Sequence, residues 1–106
     1  MLDTLTVKSF ARHLNTIFRA SGQSRDSVEL ELVEAVDLGS TPRQEVFSIV
    51  FRGRRDAFLP QGLYRLEHGE LSSFELFLVP IGPDAKGMCY EAIFNRVLPN
   101  AGASQE

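Results

Sequence analysis

The stretch from Leu59 to Pro80 constrains the fold most strongly, because it predicts two strands joined by a short turn. From Tyr64 to His68, charged residues alternate with residues suited to an interior, which is the period of two that a half-buried strand needs. The nearly continuous apolar run Phe74–Val79 is typical of a strand covered on both faces, and Pro80 is expected to end it. We therefore place this hairpin at the centre of the predicted fold.

Further strands are predicted wherever apolar residues alternate between turn-forming segments. Val33 follows Leu32 directly and breaks one alternation, which predicts either a bulge or a strand buried on both sides. The predicted segments are Thr16–Ala20, the alternation beginning at Val28, Glu45–Arg52 and Met88–Asn95. With the hairpin, the sequence predicts a mainly β protein, a small antiparallel barrel or sandwich of about six strands.

One helix is predicted, from Leu5 to Asn15, with Thr6 placed to cap it. Apolar residues at helical spacing form one stripe along it: Val7, Phe10, Ala11 and Leu14. Because so short a helix is marginal in isolation, the stripe is expected to pack against the strands.

Composition limits the class of protein. The chain has 106 residues, which suits a single domain, divided into the helix at 5–15, a β body at 16–95 and a frayed tail at 96–106. A net charge of −3 argues against wholesale nucleic-acid binding, and no apolar run reaches the roughly 20 residues of a membrane helix. Cys89 is the single cysteine, so an internal disulfide is excluded and a cytoplasmic location is expected.

The chain resembles an uncharacterised bacterial family of short β-rich domains, and the similarity covers most of its length. Four segments carry the resemblance: Phe47-Ser-Ile-Val-Phe-Arg-Gly53, Leu59-Pro-Gln-Gly-Leu-Tyr-Arg-Leu-Glu-His68, Leu76-Phe-Leu-Val-Pro80 and Tyr90-Glu-Ala-Ile-Phe-Asn95. The resemblance implies a companion of phage-tail or collar-type fibre proteins, and it provides no catalytic residue.

The titratable residues do not form a pattern that indicates catalysis. His68 has Glu67 and Glu70 nearby, but consecutive strand residues point to opposite faces, so a structural His68 bonded to a turn carbonyl is favoured over a hydrolase or metal site. His13 is expected to be solvated on the helix, and Cys89 to be a small, buried or half-buried thiol without a catalytic role. We expect no enzyme activity, no metal and no cofactor.

The predicted function is a protein-interaction or assembly module that binds through an edge strand and an apolar loop, with a small-ligand-binding barrel as the alternative. Phe58 and Leu59 form an apolar segment flanked by charges at Arg54 and Arg55, and these four residues are the predicted partner site. The partner is expected to be a second copy, giving a homodimer, or a fibre or tail-like protein. Burial of Phe58 in the core is the competing interpretation, because large apolar residues are commonly buried.

A cluster of arginines is the remaining candidate for binding. Its members are Arg43, Arg52, Arg54 and Arg55. Such a cluster suits an acidic partner or nucleic acid, but in an acidic chain it is more often a solvated loop.

Overall fold

The computed structural model describes residues 5–22 and 27–97. In chain order these residues form one helix and six strands: α1 (Val7–Ala11), β1 (Ile17–Ser21), β2 (Ser27–Asp37), β3 (Gln44–Gly53), β4 (Gly62–His68), β5 (Ser72–Pro83) and β6 (Met88–Val97). No helix in this part of the chain is long and apolar enough to span a membrane.

The six strands form a single antiparallel sheet that closes on itself in the order β1-β2-β3-β6-β5-β4. Closure occurs where β1 pairs with β4, with Arg19 opposite Glu67 and Ala20 opposite Leu66. The predicted mainly β fold with one N-terminal helix is confirmed, and the closed barrel is the form it takes. Because the ring is closed, each of the six described strands has a neighbour on both sides, and the expectation of a free edge strand for partner binding is wrong.

The predicted central hairpin is present as β4 and β5. Gly62 lies opposite Leu78 at its open end, and His68 lies opposite Ser72 beside the turn. Ser72 adopts a positive φ of 65°, so the chain reverses direction with a residue in the left-handed region.

Two details predicted for β5 are wrong. Burial alternates along the strand instead of being continuous, and Phe77 has half of its surface exposed. Pro80 does not end the strand, which continues to Pro83 past an irregularity in the β5–β6 pairing between Pro80 and Gly82. A proline is tolerated at such an irregularity because regular ladder bonding is already interrupted there.

The remaining strands lie where alternation predicted them, although β3 is buried on both faces, since Ser48 and Val50 are buried as well as the inward-facing residues. The pairing of β2 with β3 shifts between Leu32 and Glu34, which confirms a bulge at Val33. Along β3 and β6 the predicted inward-facing residues meet as cross-strand pairs: Phe47 with Phe94, Ile49 with Ala92, and Phe51 with Tyr90.

Large side chains fill the interior of the closed sheet. The largest fully buried ones are Phe10, Phe18, Leu30, Leu32, Phe47, Ile49, Phe51, Leu66, Leu78 and Tyr90. Six strands enclose only enough space for such side chains, so the centre is a packed core.

The helix is shorter than predicted, because helical structure ends at Ala11 and turns follow up to Asn15. Asn15 has a positive φ of 67°, which a helix cannot continue through. Thr6 caps the helix as predicted: its side chain accepts from the Ser9 amide, and the Ser9 hydroxyl accepts from the Thr6 amide. Leu14 lies beyond the helix and is exposed.

Helix α1 covers one end of the barrel, which we call the helix end. The ring of Phe10 enters this end, with ring centroids 5.5–6.5 Å from four phenylalanines: Phe18, Phe47, Phe74 and Phe94. Arg96 reinforces the cover, since its guanidinium donates both to the Leu5 carbonyl and, at 2.8 Å, to Glu45 Oε1. Strand β6 thus reaches Val97 and holds the helix, so Arg96 and Val97 are not part of a frayed tail.

Two predicted segments lie outside the described residues. These are the tail at 98–106 and the central part, 23–26, of the connection between β1 and β2. The opposite end of the barrel, where β3 ends and β4 and β6 begin, carries the 54–61 connection, and we call it the loop end.

Candidate functional site

The predicted partner residues all lie in the connection between β3 and β4 at the loop end. It begins with a turn in which the Ala57 amide donates to the Arg54 carbonyl at 3.3 Å. The Arg54 guanidinium binds both carboxylate oxygens of Asp56, at 2.9 and 2.6 Å. This pair is well exposed, and the guanidinium holds the pKa of the Asp56 carboxyl below its ordinary value.

Phe58 follows this turn with 54% of its surface exposed, whereas Leu59 is half-buried against the core. Burial of Phe58 in the core is therefore not what the structure has. The Phe58 ring lies beside Tyr90, with their ring centroids 6.4 Å apart. An exposed phenylalanine next to a half-buried leucine gives the loop an apolar outer surface.

Two buried tyrosines hold the loop in place after Phe58. The Leu59 amide donates to the hydroxyl of Tyr90 at 2.9 Å, and the hydroxyl of Tyr64 donates to the Pro60 carbonyl. Both tyrosine rings belong to the core. The loop is consequently fixed to the barrel by two strands, β6 and β4, while Phe58 faces solvent.

An open groove of about 720 Å³ lies between this loop and the start of β2. It is lined by Gly22, Ser27, Val28, Ala57, Phe58, Leu59, Pro60, Gln61, Gly62, Leu63 and Tyr64. Gly22 leaves room for the Tyr64 ring, since a Cβ at position 22 would come within 2.9 Å of Tyr64 Cε2. We call the groove together with the outward side of Phe58 the loop surface.

The arginines predicted to form a basic cluster bind acceptors within the chain. Arg52 donates to Asp84 Oδ2 at 2.6 and 2.9 Å, and the Arg55 guanidinium donates to the Asp84 carbonyl. With Arg54 on Asp56, three of these guanidinium groups already have oxygen partners. This arrangement favours the interpretation of a structured, solvated loop over a phosphate-binding patch.

Cys89 lies in the same corner, buried beside Asp84. Its sulfur is 3.5 Å from Asp84 Oδ2, and burial together with that carboxylate raises the pKa of the Cys89 thiol. A raised thiol pKa is the opposite of what a nucleophilic cysteine needs. The other Asp84 carboxylate oxygen accepts from the Lys86 and Gly87 amides, so the corner is a hydrogen-bonded turn.

His68 is held by its own turn at the helix end, though not through a carbonyl as predicted. Its Nδ1 accepts from the amides of Glu70 and Leu71, at 3.0 and 3.3 Å, and its Nε2 lies 3.0 Å from Thr16 Oγ1. This bonding assigns the ring proton to Nε2. Burial, followed by the proximity of His13, lowers the pKa of His68.

His13 is not solvated as predicted, since only 15% of its side chain is exposed. Its Nδ1 lies 2.8 Å from the Ser9 carbonyl and its Nε2 lies 2.8 Å from Glu70 Oε1. Both nitrogens therefore face acceptors, which suits the protonated ring, and these two bonds raise the pKa of His13. The centroids of the His13 and His68 rings are 4.8 Å apart. A ring with a raised pKa therefore lies against a ring with a lowered pKa.

The groups proposed for a hydrolase or metal site do not converge. Glu67 lies 3.5 Å from Arg65 on the outer face, while Glu70 is bound to His13. Within residues 5–22 and 27–97, no group of three or more His, Cys, Asp or Glu side chains is arranged to hold a metal ion.

Sequence reasoning identified Phe58 and Leu59 but missed the residues that position them. The roles of Tyr64, Tyr90 and Gly22 depend on contacts between segments distant in the chain. Leu63 could have been found, because it shares the outward register of Arg65 on β4.

A family model described as a domain of unknown function (DUF6916) matches residues 5–94, so the chain belongs to this family. No curated protein and no solved structure matches the chain.

Proposed function

We propose that this DUF6916 domain is a non-catalytic protein-interaction or assembly module that binds a protein partner through the loop surface. The observation that carries the proposal is the exposed ring of Phe58 on a loop that two buried tyrosines hold in position.

The exposed area of Phe58 and the order of its loop both favour binding. A phenylalanine side chain buries 150–250 Å² when fully covered, so covering the exposed half would remove about 100 Å² from water. At 25 cal/mol per Å² this corresponds to about 2.5 kcal/mol, which is sufficient for an interface hot spot. Because the Leu59 and Pro60 backbone is already hydrogen-bonded, little further loop entropy is lost on binding.

The packing of the interior favours this proposal over a ligand-binding barrel. The alternative places a cavity between the Tyr64/Leu66 and Phe74/Leu76 faces, and all four of these side chains belong to the packed core. The concave surface beside Phe58 lies outside the barrel and suits a protruding side chain of a partner better than an enclosed metabolite.

The bonding of the two histidines supports a non-catalytic role. The imidazole nitrogens of His13 and His68 are engaged in bonds within the helix-end corner. A general acid or base needs a proton-transfer site that reaches substrate, and these rings are bonded to the protein instead.

The partner class and location remain part of the proposal. The resemblance to companions of phage-tail or collar-type fibre proteins supports a fibre or tail-like partner, and the lone Cys89 supports the cytoplasm. A partner for this surface should present an apolar residue framed by polar ones, since Phe58 itself is framed by the exposed Arg54–Asp56 pair.

The test is a pull-down from the native host with three forms of the purified chain. The wild type should retain a partner, and Phe58→Ser should lose it. Ile93→Ser is the matched control, because Ile93 is 59% exposed on β6 and is not part of the loop surface. A photo-crosslinking amino acid at position 58, but not at position 93, should join covalently to the same partner.

Native mass spectrometry of the purified wild type separates the alternatives. A stoichiometric small molecule that stays bound in Phe58→Ser would replace this proposal with the ligand-binding one. A partner captured equally by Phe58→Ser would remove the loop surface as its binding site.

A further inference from the structure

The outer face of the β4–β5 hairpin carries an apolar pair that the core does not use. Leu63 and Phe77 lie directly opposite each other in the register, and both point outward. Leu63 is 59% exposed and Phe77 is 50% exposed. Directly opposed residues have Cβ atoms about 5 Å apart, so the two side chains form one patch.

Two opposite charges flank this patch on the same face. Arg65 lies opposite Glu75, one outward position along the hairpin from the apolar pair. The Arg65 guanidinium donates to the Ser73 hydroxyl at 3.1 Å and lies 3.5 Å from Glu67, and in the part of the chain that the structure describes Glu75 makes no ion pair. The face therefore presents a positive and a negative side chain side by side next to an apolar centre.

We propose that this hairpin face binds the same face of a second copy of the chain. Consider a two-fold axis that runs parallel to the strands, above the outer face of the hairpin and over the line midway between β4 and β5. Rotation about it places β4 of one copy over β5 of the other without a shift along the strands. Leu63 then faces Phe77 of the second copy, and Arg65 faces its Glu75, because these residues are already register partners.

Charge complementarity is what selects a second copy as the occupant. The single arrangement produces the Arg65–Glu75 contact twice, once in each direction, and covers both apolar pairs. Sheet faces pack about 10 Å apart, a separation that long Arg and Glu side chains can span. The closed sheet is convex, so the contact is confined to about two strands, and an interface this small gives a weak dimer.

This inference goes beyond the proposed function. Arg65, Glu75 and Phe77 do not line the loop-surface groove, so a partner at Phe58 and a second copy at the hairpin face are separate binding events. Leu63 lies at the boundary between the two surfaces and is therefore not used as a test variant.

Sedimentation velocity from about 10 µM to about 1 mM protein measures the self-association. The wild type should pass from monomer to dimer in this range, and association should weaken when NaCl is raised from about 50 to about 500 mM. Phe77→Ser should weaken the dimer at least about tenfold. Ile93→Ser and Phe58→Ser should leave it unchanged.

The charge arrangement permits a sharper test with Arg65→Glu and Glu75→Arg. Each variant alone places like charges opposite each other in the dimer, so each should remain monomeric. Mixed in equal amounts, the two variants should form a heterodimer, because one then presents two carboxylates and the other two guanidinium groups at the matching positions. The double variant Arg65→Glu/Glu75→Arg should self-associate like the wild type. Thermal midpoints measured on every variant confirm that each one is folded.

Three results would each overturn the proposal: a wild type that stays monomeric at about 1 mM, a dimer that survives Phe77→Ser, or a mixture of the two charge variants that fails to associate. A dimer abolished by Phe58→Ser but unaffected by Phe77→Ser would transfer self-association to the loop surface. Loss of partner capture by Phe58→Ser with an intact dimer would support both proposals independently.

Discussion

Each end of the barrel carries one phenylalanine outside the strands, and the two differ in how far they are exposed. At the helix end Phe10 is fully buried among four other phenylalanine rings. At the loop end Phe58 is half exposed, although the backbone that follows it is hydrogen-bonded to two core tyrosines.

This difference in exposure indicates a role in stability for the helix end and a role in binding for the loop end. At the helix end, ordered backbone serves to cover apolar surface, which stabilises the fold. At the loop end, comparable order leaves apolar surface uncovered, which does nothing for an isolated monomer. Ordered structure that exposes an aromatic ring is therefore better explained by a partner than by folding.

The largest expected effect comes from removing the helix-end ring. Phe10→Ala should lower the free energy of unfolding by about 3–5 kcal/mol, because it leaves a cavity among packed rings. Leu14→Ala is the matched control in the same segment, since Leu14 is exposed, and it should cost less than about 1 kcal/mol. Urea denaturation followed by circular dichroism measures both. Equal losses for the two variants would show that α1 does not close the barrel.

An intermediate effect is expected from loosening the loop end. Tyr90→Phe removes the acceptor of the Leu59 amide, which should cost about 1–2 kcal/mol and speed hydrogen exchange at that amide. Tyr64→Phe is the matched variant, and it removes the donor to the Pro60 carbonyl instead. Unchanged Leu59 exchange in Tyr90→Phe would show that the loop is ordered by something other than this bond.

The smallest expected effect is the pH dependence of the helix-end corner. The pKa of His13 is raised, so its contribution is full below the unfolded pKa of about 6.5 and is lost as pH rises through the folded pKa above that value. The pKa of His68 is lowered, so its contribution is present above about pH 6.5 and is lost as pH falls through the folded pKa below that value. Together the two rings should give a stability maximum near pH 6.5.

Two variants test which histidine causes the loss of stability on each side of this maximum. His13→Gln should remove the loss of stability on the alkaline side, and His68→Gln should remove the loss just below pH 6.5. Glu70, which accepts from His13, adds a separate loss at lower pH, because its own pKa is lowered by that ring. Thermal midpoints between pH 4.5 and 8.5, in steps of about half a pH unit, measure the change of stability on both sides of the maximum. A profile that is identical in the wild type and both variants would contradict the bonding assigned to the rings.

Local alternation predicted the strands well, because one face of each strand must be buried in any arrangement of the sheet. It predicted a bulge at Val33, as one of two alternatives, from neighbours in the chain alone. The continuous run at Phe74–Val79 was misleading, because an apolar residue on the outer face looks the same in sequence as a buried one. Phe77 lies outward, and the pairing of β4 with β5 places it beside Leu63.

The sequence identified the apolar residues of the candidate site but not the contacts that position them, because those contacts join distant segments. Phe58 was notable as a large apolar residue in a polar loop, but the bond that holds this loop, from the Leu59 amide to the Tyr90 hydroxyl, joins residues 31 positions apart. Likewise, His13 was expected in solvent because its helical position lies away from the apolar stripe. The helix ends at Ala11, and the following turn carries His13 to Glu70, 57 positions away. Such contacts depend on how the barrel closes, which no local pattern specifies.

The most direct test of the binding role of Phe58 is a paired measurement on Phe58→Ser. The free energy of unfolding and the affinity for the captured partner are determined on the same preparation. We expect unfolding to change by less than about 1 kcal/mol while affinity falls at least about tenfold. A loss of about 3 kcal/mol or more in stability, with weaker binding only in proportion to the unfolded fraction, would show that Phe58 supports the core and would contradict the account.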